Sequence, residues 1–517
     1  MRALIPVAVS GAALICASAC GASDRPTRTA ADLPAASARS AAAPGCDGVA
    51  VGPAQEVVSV ADRRRLGLDA WPDTALGVVN DGGGKYRFFA TGTPGLRPPQ
   101  KVTVTSGTLS DPVADGVRSA QPVANVPSGY DYAGGGPVFR DARSGQVLEM
   151  LHLERPYGND ASKFYTELHL GRVDPKTGKV VRLGEIVRPH VDFTTAQKTQ
   201  TTIDLGAPSF SVTRVGKISY LYVYFSDATA DGAGRIAFTG LSVARAPITA
   251  VLAAAKRGKV SAWSKYQGGR WAQPALGGAS ADINAGRPMA WAPDVVRGAG
   301  RTIMVTGESP HDMVLSTSAN GVNGWSTRHP LWRDPDFFDA YPTIVAGGST
   351  PNAPGKTFFV YYTQWQSAEP DWSTARLMRR TVRCTQGTQA TDVALVRYSN
   401  GARHQVTTGP APAGFHEEGR WYLRSAQEPG TVPLYGCRNG RDDQFLYKSA
   451  DCGGSQYAIL QTEGWIYAKR PASPSVPLYR CHIAGLGDHF VSERPDCEAP
   501  GNADVAQEGL LGYALDH

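Results

Sequence analysis

Ala290-Trp291-Ala292-Pro293-Asp294-Val295-Val296, followed by Gly298-Ala299-Gly300 and Thr302-Ile303-Met304-Val305-Thr306, is the stretch that decides the fold. It reads as a strand, a tight glycine turn and a second strand that ends on Glu308. The same order of parts recurs four times. Trp71-Pro72-Asp73-Thr74 leads to Tyr86-Arg87-Phe88-Phe89-Ala90, and Gly136-Pro137-Val138-Phe139 leads to Val147-Leu148-Glu149-Met150-Leu151. Ala207-Pro208-Ser209-Phe210 leads to Tyr220-Leu221-Tyr222-Val223-Tyr224-Phe225, and Tyr341-Pro342-Thr343-Ile344 to Phe358-Phe359-Val360-Tyr361-Tyr362. Five copies of one supersecondary unit, roughly 50–85 residues apart, are the mark of radial repetition. The expected fold is all-β: a five-bladed β-propeller over residues 45–385.

Proline has no N–H to give a ladder and is tolerated at the first residue of a strand or on an edge. A proline opening each first strand therefore marks where the chain enters a blade. The residues just after it, Asp73, Val138, Ser209, Asp294 and Thr343, are expected around one mouth of a central channel.

The 517 residues carry a formal charge of only +6, with Arg and Asp scattered. No basic block with interleaved aromatics occurs, which argues against a nucleic-acid partner. The first 20 residues read as a secretory signal: basic Arg2, an apolar run from Leu4 to Ile15, and the small-residue end Ala17-Ser18-Ala19-Cys20. That ending resembles a bacterial lipobox, with Cys20 as the lipidated residue, and places the chain outside the cell or on the outer face of its membrane. Residues 21–44, rich in Ala, Ser and Pro, form a tether.

Beyond Cys16 and Cys20 there are six cysteines, an even number that suits disulfides in an exported chain. Cys437 with Cys452 and Cys481 with Cys497 have nearly equal spacing at equivalent repeat positions, so each pair closes its own repeat. Cys46 and Cys384 remain, one on either side of the five blades, where a bond staples the ring.

After Cys384 a shorter repeat takes over. Val432-Pro433-Leu434-Tyr435-Gly436-Cys437 matches Val476-Pro477-Leu478-Tyr479-Arg480-Cys481, and Glu463-Gly464 matches Glu508-Gly509. A cysteine-free first copy runs from Leu395 through Glu418-Gly419. Three copies over 391–517 predict a threefold, β-trefoil-like module, with Tyr435, Tyr479, Phe445 and Phe490 filling a shared core. Asp488-His489, polar beside a glycine turn, is a candidate ligand contact. One short helix is expected, from Pro247 to Lys256, with proline at its start and basic residues at its end.

The Trp291-Ala292-Pro293-Asp294-Val295 stretch and the other four openings resemble the five-bladed propeller of glycoside hydrolases related to family 43, over residues 60–383. The resemblance implies a carboxylate base, a second carboxylate that tunes it, and an acid at the channel mouth. Asp73 matches the base in the first blade and Asp294 the tuning aspartate, although Trp-Ala-Pro-Asp here lies in the fourth blade, not the second. The C-terminal pattern resembles a repeat module found on secreted bacterial hydrolases and implies attachment to a surface or glycan.

Glycosidic hydrolysis needs two carboxyl groups flanking the scissile bond. Asp73, Asp294 and either Glu308 or Glu154, the last two at second-strand ends, are the catalytic candidates. Trp71, Trp291 and Tyr341 offer rings on which a sugar stacks, with Asp339 and His311 as polar contacts. The partner is then a polysaccharide or glycan. No cofactor is expected and no metal is assigned, a structural calcium in the channel being the one alternative. The rival reading of the same mouth is a non-catalytic lectin or adhesin, or a cell-envelope interaction protein.

Overall fold

A computed structural model describes residues 46, 48–92, 101–157, 162–230, 235–284, 293–298, 300–326, 328–348, 350–366, 370–385, 392–440 and 443–516. The segments read as signal and tether, with the expected lipidation site Cys20, lie outside these residues, as does Trp291. Among the described residues no helix is long and apolar enough to cross a membrane.

The chain is nearly all strand, in a propeller-like arrangement of antiparallel sheets. The first sheet runs Gly77–Gly82, Lys85–Gly92, Lys101–Gly107 and Val117–Gln121; the second runs Tyr132–Arg140, Val147–Pro156, Phe164–Val173 and Val180–Val187. The third begins at Ser209–Val215 and Ile218–Ala230 and ends on Arg270–Pro274. The last is built from both ends of the ring: Phe338–Val345, Thr357–Trp365 and Arg376–Thr385 are joined by Gly48–Val51 and Gln55–Val58. Where five separate blades were expected, these four sheets stand alone. The strands Asp294–Gly298, Arg301–Ser309, Asp312–Ser318 and His329–Arg333 belong to a 13-stranded sheet, joined to C-terminal strands through the single pair Arg333 and Ile459.

Apolar side chains on facing sheets hold neighbours together. Val79, Phe89, Leu151 and Leu153 fill the seam between first and second sheets, and Phe88, Tyr361 and Leu377 that between last and first. The inner edges of the first two sheets touch backbone to backbone. A Cβ on Gly77 would meet the Gly136 carbonyl oxygen at 1.8 Å, so only glycine fits there.

The prolines behave less uniformly than expected. Pro208 and Pro293 directly precede strands that start at Ser209 and Asp294. Pro137 and Pro342 instead sit inside strands, at register shifts between Gly135 and Val138 and between Ala340 and Thr343. A bulge leaves a residue unpaired, so the missing N–H costs nothing there.

Helix Ile248–Lys256 forms where expected, and two more short helices stand at Val60–Leu66 and Phe193–Thr199. The first has a full capping box between Ser59 and Asp62, a signal present in the sequence but not read there.

The C-terminal residues fold as three units, each a hairpin plus a returning strand: Asp392–Ser399, His404–Thr407 and His416–Arg424; Thr431–Asn439, Asp443–Tyr447 and Ala458–Tyr467; Ser475–Ile483, Asp488–Ser492 and Val505–Leu515. The returning strands meet one another pairwise. Their common core is made by Leu395, Leu434, Leu478, Ile466 and Leu511. Tyr435 and Phe445 do not reach it; they pack around Cys452 in a cluster of their own, as Tyr479 and Phe490 do around Cys497.

All three disulfides are present with the expected partners: Cys46–Cys384, Cys437–Cys452 and Cys481–Cys497. They suit an oxidising compartment.

Candidate active site

Inner strands of adjacent sheets are tied by side chains that accept backbone hydrogens. Ser209 Oγ accepts from Val295 N at 3.0 Å, Asp294 Oδ2 from Ile344 N at 2.6 Å, and Thr343 Oγ1 from Leu76 N at 2.8 Å. The residue after the repeated proline thus clasps the next inner strand. Asp294 is one such clasp, and only 6% exposed. Burial pushes its carboxyl up to about 7, opposed by the amides of Ile344 and Val295.

Asp73 is placed differently. Its backbone N–H donates to Thr91 O at 2.8 Å, and its carboxyl meets two phenols: Tyr341 Oη at 3.2 Å and Tyr132 Oη at 3.5 Å. Tyr132 is directly across the strand pair from Glu154. Two residues before Glu154, His152 sets Nε2 at 3.5 Å from the Glu154 carboxylate and 4.0 Å from Asp204. Its other nitrogen, Nδ1, lies 3.0 Å from the Gly206 carbonyl. The Tyr132 and His152 rings meet edge to face at 5.8 Å.

Three carboxyl groups from three distant stretches, Asp73, Glu154 and Asp204, therefore share one neighbourhood with two tyrosines and a histidine. Burial raises the Asp73 pKa to about 7, the negative charge of Glu154 adds to the rise, and the Tyr341 hydrogen bond opposes it. Burial alone would lower the His152 pKa. The Glu154 hydrogen bond and the charges of Asp204 and Glu154 outweigh that and hold it at about 9. At neutral pH the group is therefore an imidazolium beside Glu154, while Asp73 is poised between its two forms. A carboxyl able to hold a proton near neutral pH, beside a second carboxyl group, is what acid–base chemistry requires.

The other candidates are dispersed. Glu308 is exposed and pairs with Arg328 Nη1 at 2.5 Å, so its charge is spent on that cation. Trp71 is 0% exposed in the seam between last and first sheets, which leaves no face for a sugar. Asp339 is equally buried and accepts from Trp332 Nε1 at 2.7 Å and Gln364 Nε2 at 2.9 Å; burial raises it to about 7. His311 Nδ1 lies 2.6 Å from the Phe337 carbonyl and ties a turn to the last sheet. Among the described residues, Tyr341 alone of the expected sugar contacts reaches the Asp73 cluster. Its φ of 54° is uncommon for a residue with a side chain and lies at the bulge beside Pro342.

Sequence reasoning missed Tyr132 and Asp204. The signal for Asp204 was its place two residues ahead of Gly206-Ala207-Pro208, at the mouth end of a repeated opening. Glu149, on the same strand as His152 and Glu154, is buried with both carboxyl oxygens lacking a hydrogen-bond partner, and burial drives its pKa well up.

No family model matches this sequence, and no curated protein matches it. Among solved structures, it is similar to an exo-beta-1,3-galactanase from Clostridium thermocellum, at 12% identity over 85% of this chain and 92% of that one, with a TM-score of 0.36. It is also similar to the Bacillus subtilis arabinanase Arb43A, at 10% identity over 59% and 92% of the two chains, TM-score 0.31. A protein of unknown function from Dyadobacter fermentans shares 9% identity over 66% of this chain and 100% of that one, TM-score 0.36. The likeness is faint, and the chemistry of the site is read from its own residues.

Proposed function

We propose that this chain is an exported glycoside hydrolase in which Asp73 protonates the leaving oxygen and Glu154 takes a proton from the attacking water. The single observation that carries the reading is the raised Asp73 carboxyl held by Tyr341 and Tyr132 within the field of Glu154. Two carboxyl groups in opposite protonation states are the working pair of glycosidic hydrolysis. His152, an imidazolium at neutral pH, keeps Glu154 oriented. Asp204 supplies the third carboxyl beside it.

This reverses the role expected of Asp73, from base to acid, and takes Asp294 and Glu308 out of the proton transfer. The substrate class is a polysaccharide. The C-terminal module holds a glycan or cell surface nearby, and Cys20 anchors the chain through lipid to the outer face of the membrane.

The test is a hydrolysis screen on plant and bacterial polysaccharides with the wild type, Asp73→Asn and Glu154→Gln. The expected result is sugar release by the wild type and a loss of about 10²–10⁴ in kcat for each variant. Saccharide binding without release by the wild type would make the protein a lectin. Unchanged release by Asp73→Asn would remove that residue from the chemistry.

A further inference from the structure

The C-terminal module contains a second cluster of chemistry-bearing side chains, unrelated to Asp73. His482 and His489 face each other across the hairpin Ser475–Ile483 and Asp488–Ser492, with ring centroids 4.4 Å apart and planes inclined by 22°. Glu508, on the returning strand Val505–Leu515, brings its Oε2 within 3.2 Å of His489 Nε2. One donor atom from each of the three residues lies within 4.8 Å of the others.

We propose that His482, His489 and Glu508 bind a divalent transition-metal ion, with zinc the best fit. Two imidazoles and one carboxylate are a ligand set such ions prefer, whereas calcium and magnesium seek all-oxygen shells. Bonds of about 2.0–2.1 Å in a tetrahedron put ligand atoms roughly 3.3 Å apart. The His489–Glu508 pair, at 3.2 Å, already has that spacing, and His482 offers a ring nitrogen within 4.8 Å of both.

The surroundings of His489 support the assignment independently. Its Nδ1 lies 2.8 Å from Asp443 Oδ2, and its backbone N–H donates to Asp443 Oδ1 at 3.0 Å. A carboxylate that accepts the hydrogen of one ring nitrogen leaves the other free as a ligand and fixes the ring's direction. Arg480 Nε donates to Glu508 Oε2 at 2.7 Å, the same oxygen that faces His489, and so fixes where that oxygen sits.

Comparison with the first unit isolates what is special here. His404 Nδ1 is 2.6 Å from Asp488 Oδ2 and its Nε2 is 3.5 Å from Glu418. Yet the residue across that hairpin is Ser399, where the third unit has His482. The second unit has Gln444 opposite Arg438. Two imidazoles flank one carboxylate in the first unit too, where His404 and His416 lie 3.5 and 3.8 Å from different oxygens of Glu418. Among the described residues only the third unit brings all three donor atoms within 4.8 Å of one another, so one ion per chain is expected, bound through three protein ligands with a position left open for water or a ligand.

The experiment uses tag-free residues 21–517 stripped with a chelator and titrated with Co²⁺, followed by displacement with Zn²⁺. The expected result is one equivalent of Co²⁺ with visible absorption bands, which Zn²⁺ abolishes and Ca²⁺ does not. His489→Ala, His482→Gln and Glu508→Gln should each weaken binding by at least about tenfold, and Asp443→Asn by about 10–100-fold. His404→Ala should bind as the wild type does. Circular dichroism of the metal-free variants checks their folding; if His489→Ala unfolds, His482→Gln and Glu508→Gln carry the test. Absence of a stoichiometric Co²⁺ signal, or equal affinity in His482→Gln and wild type, overturns the assignment.

Discussion

Tyr341 Oη donates to Asp73 Oδ1 at 3.2 Å, so a residue of the last sheet holds the carboxyl of the first. The two are 268 positions apart, and only ring closure brings them together. A bulge at Pro342 and a φ of 54° turn the Tyr341 side chain toward Asp73. Such backbone geometry costs about 1–3 kcal/mol and persists where surrounding structure enforces it.

If Asp73 is the acid, kcat should fall as pH rises past about 7, where its proton is lost. The Tyr341 hydrogen bond favours the charged form and lowers that pKa. Tyr341→Phe should therefore move the alkaline limb of the pH–rate profile upward, with the acid limb unchanged. A limb that stays in place or moves down would count against Asp73 as acid.

Asp294 is expected to matter for stability rather than for the reaction. Asp294→Ala leaves the buried Ile344 N–H without an acceptor and should cost about 1–3 kcal/mol in denaturant unfolding. Asp294→Asn keeps an acceptor and should cost less. It should also flatten part of the pH dependence. The native carboxyl holds its proton up to about 7, whereas the unfolded one loses it near the ordinary aspartate value of 3.8. Between those values the native state binds more protons, so its stability falls as pH rises. The Asn variant lacks that loss, a difference readable from unfolding midpoints at about pH 4 and about pH 7.

Glu149 offers the clearest route to a more stable variant. Both its oxygens are buried without partners, so it contributes a desolvation cost and no hydrogen bond. Glu149→Met should raise stability by about 1–3 kcal/mol at neutral pH. Because the raised pKa makes the native state dislike ionisation, the gain should shrink as pH falls toward the ordinary carboxyl range. Thermal melts at two pH values measure it.

Replacing Cys46 and Cys384 together by Ser should cost about 2–5 kcal/mol, since the bond spans 338 positions of chain. Reducing agent should destabilise the wild type more than this double variant, apart from the share due to the two C-terminal bonds.

The repeated prolines made the sheet order legible, because a residue without an N–H can occupy so few places in a ladder. The cysteine pairs were legible for a similar reason: equivalent repeat positions must pair alike. What was hidden is which way each side chain turns. A one-residue shift in a strand sends its side chains to the opposite face. Asp294 and Asp73 both follow a proline, yet one clasps Ile344 inside the ring and the other meets Tyr341 and Tyr132. The register shift after Gly135 and the bulge at Tyr341 decide such outcomes, and neither is marked in the sequence. Trp71 looked like a sugar platform because an exposed and a buried indole are spelled the same way. Its neighbours Phe88 and Tyr361 belong to other strands and settle the matter only in three dimensions.

The strand Gly48–Val51 completes the last sheet by pairing with Arg376–Thr385. The earliest part of the folded chain therefore stays without its partner until nearly the whole ring has been made. A truncated chain begun at Leu76 would expose the flank of Arg376–Thr385 to any passing strand. Tags and fusions belong ahead of Cys46, where they leave that closing seam untouched.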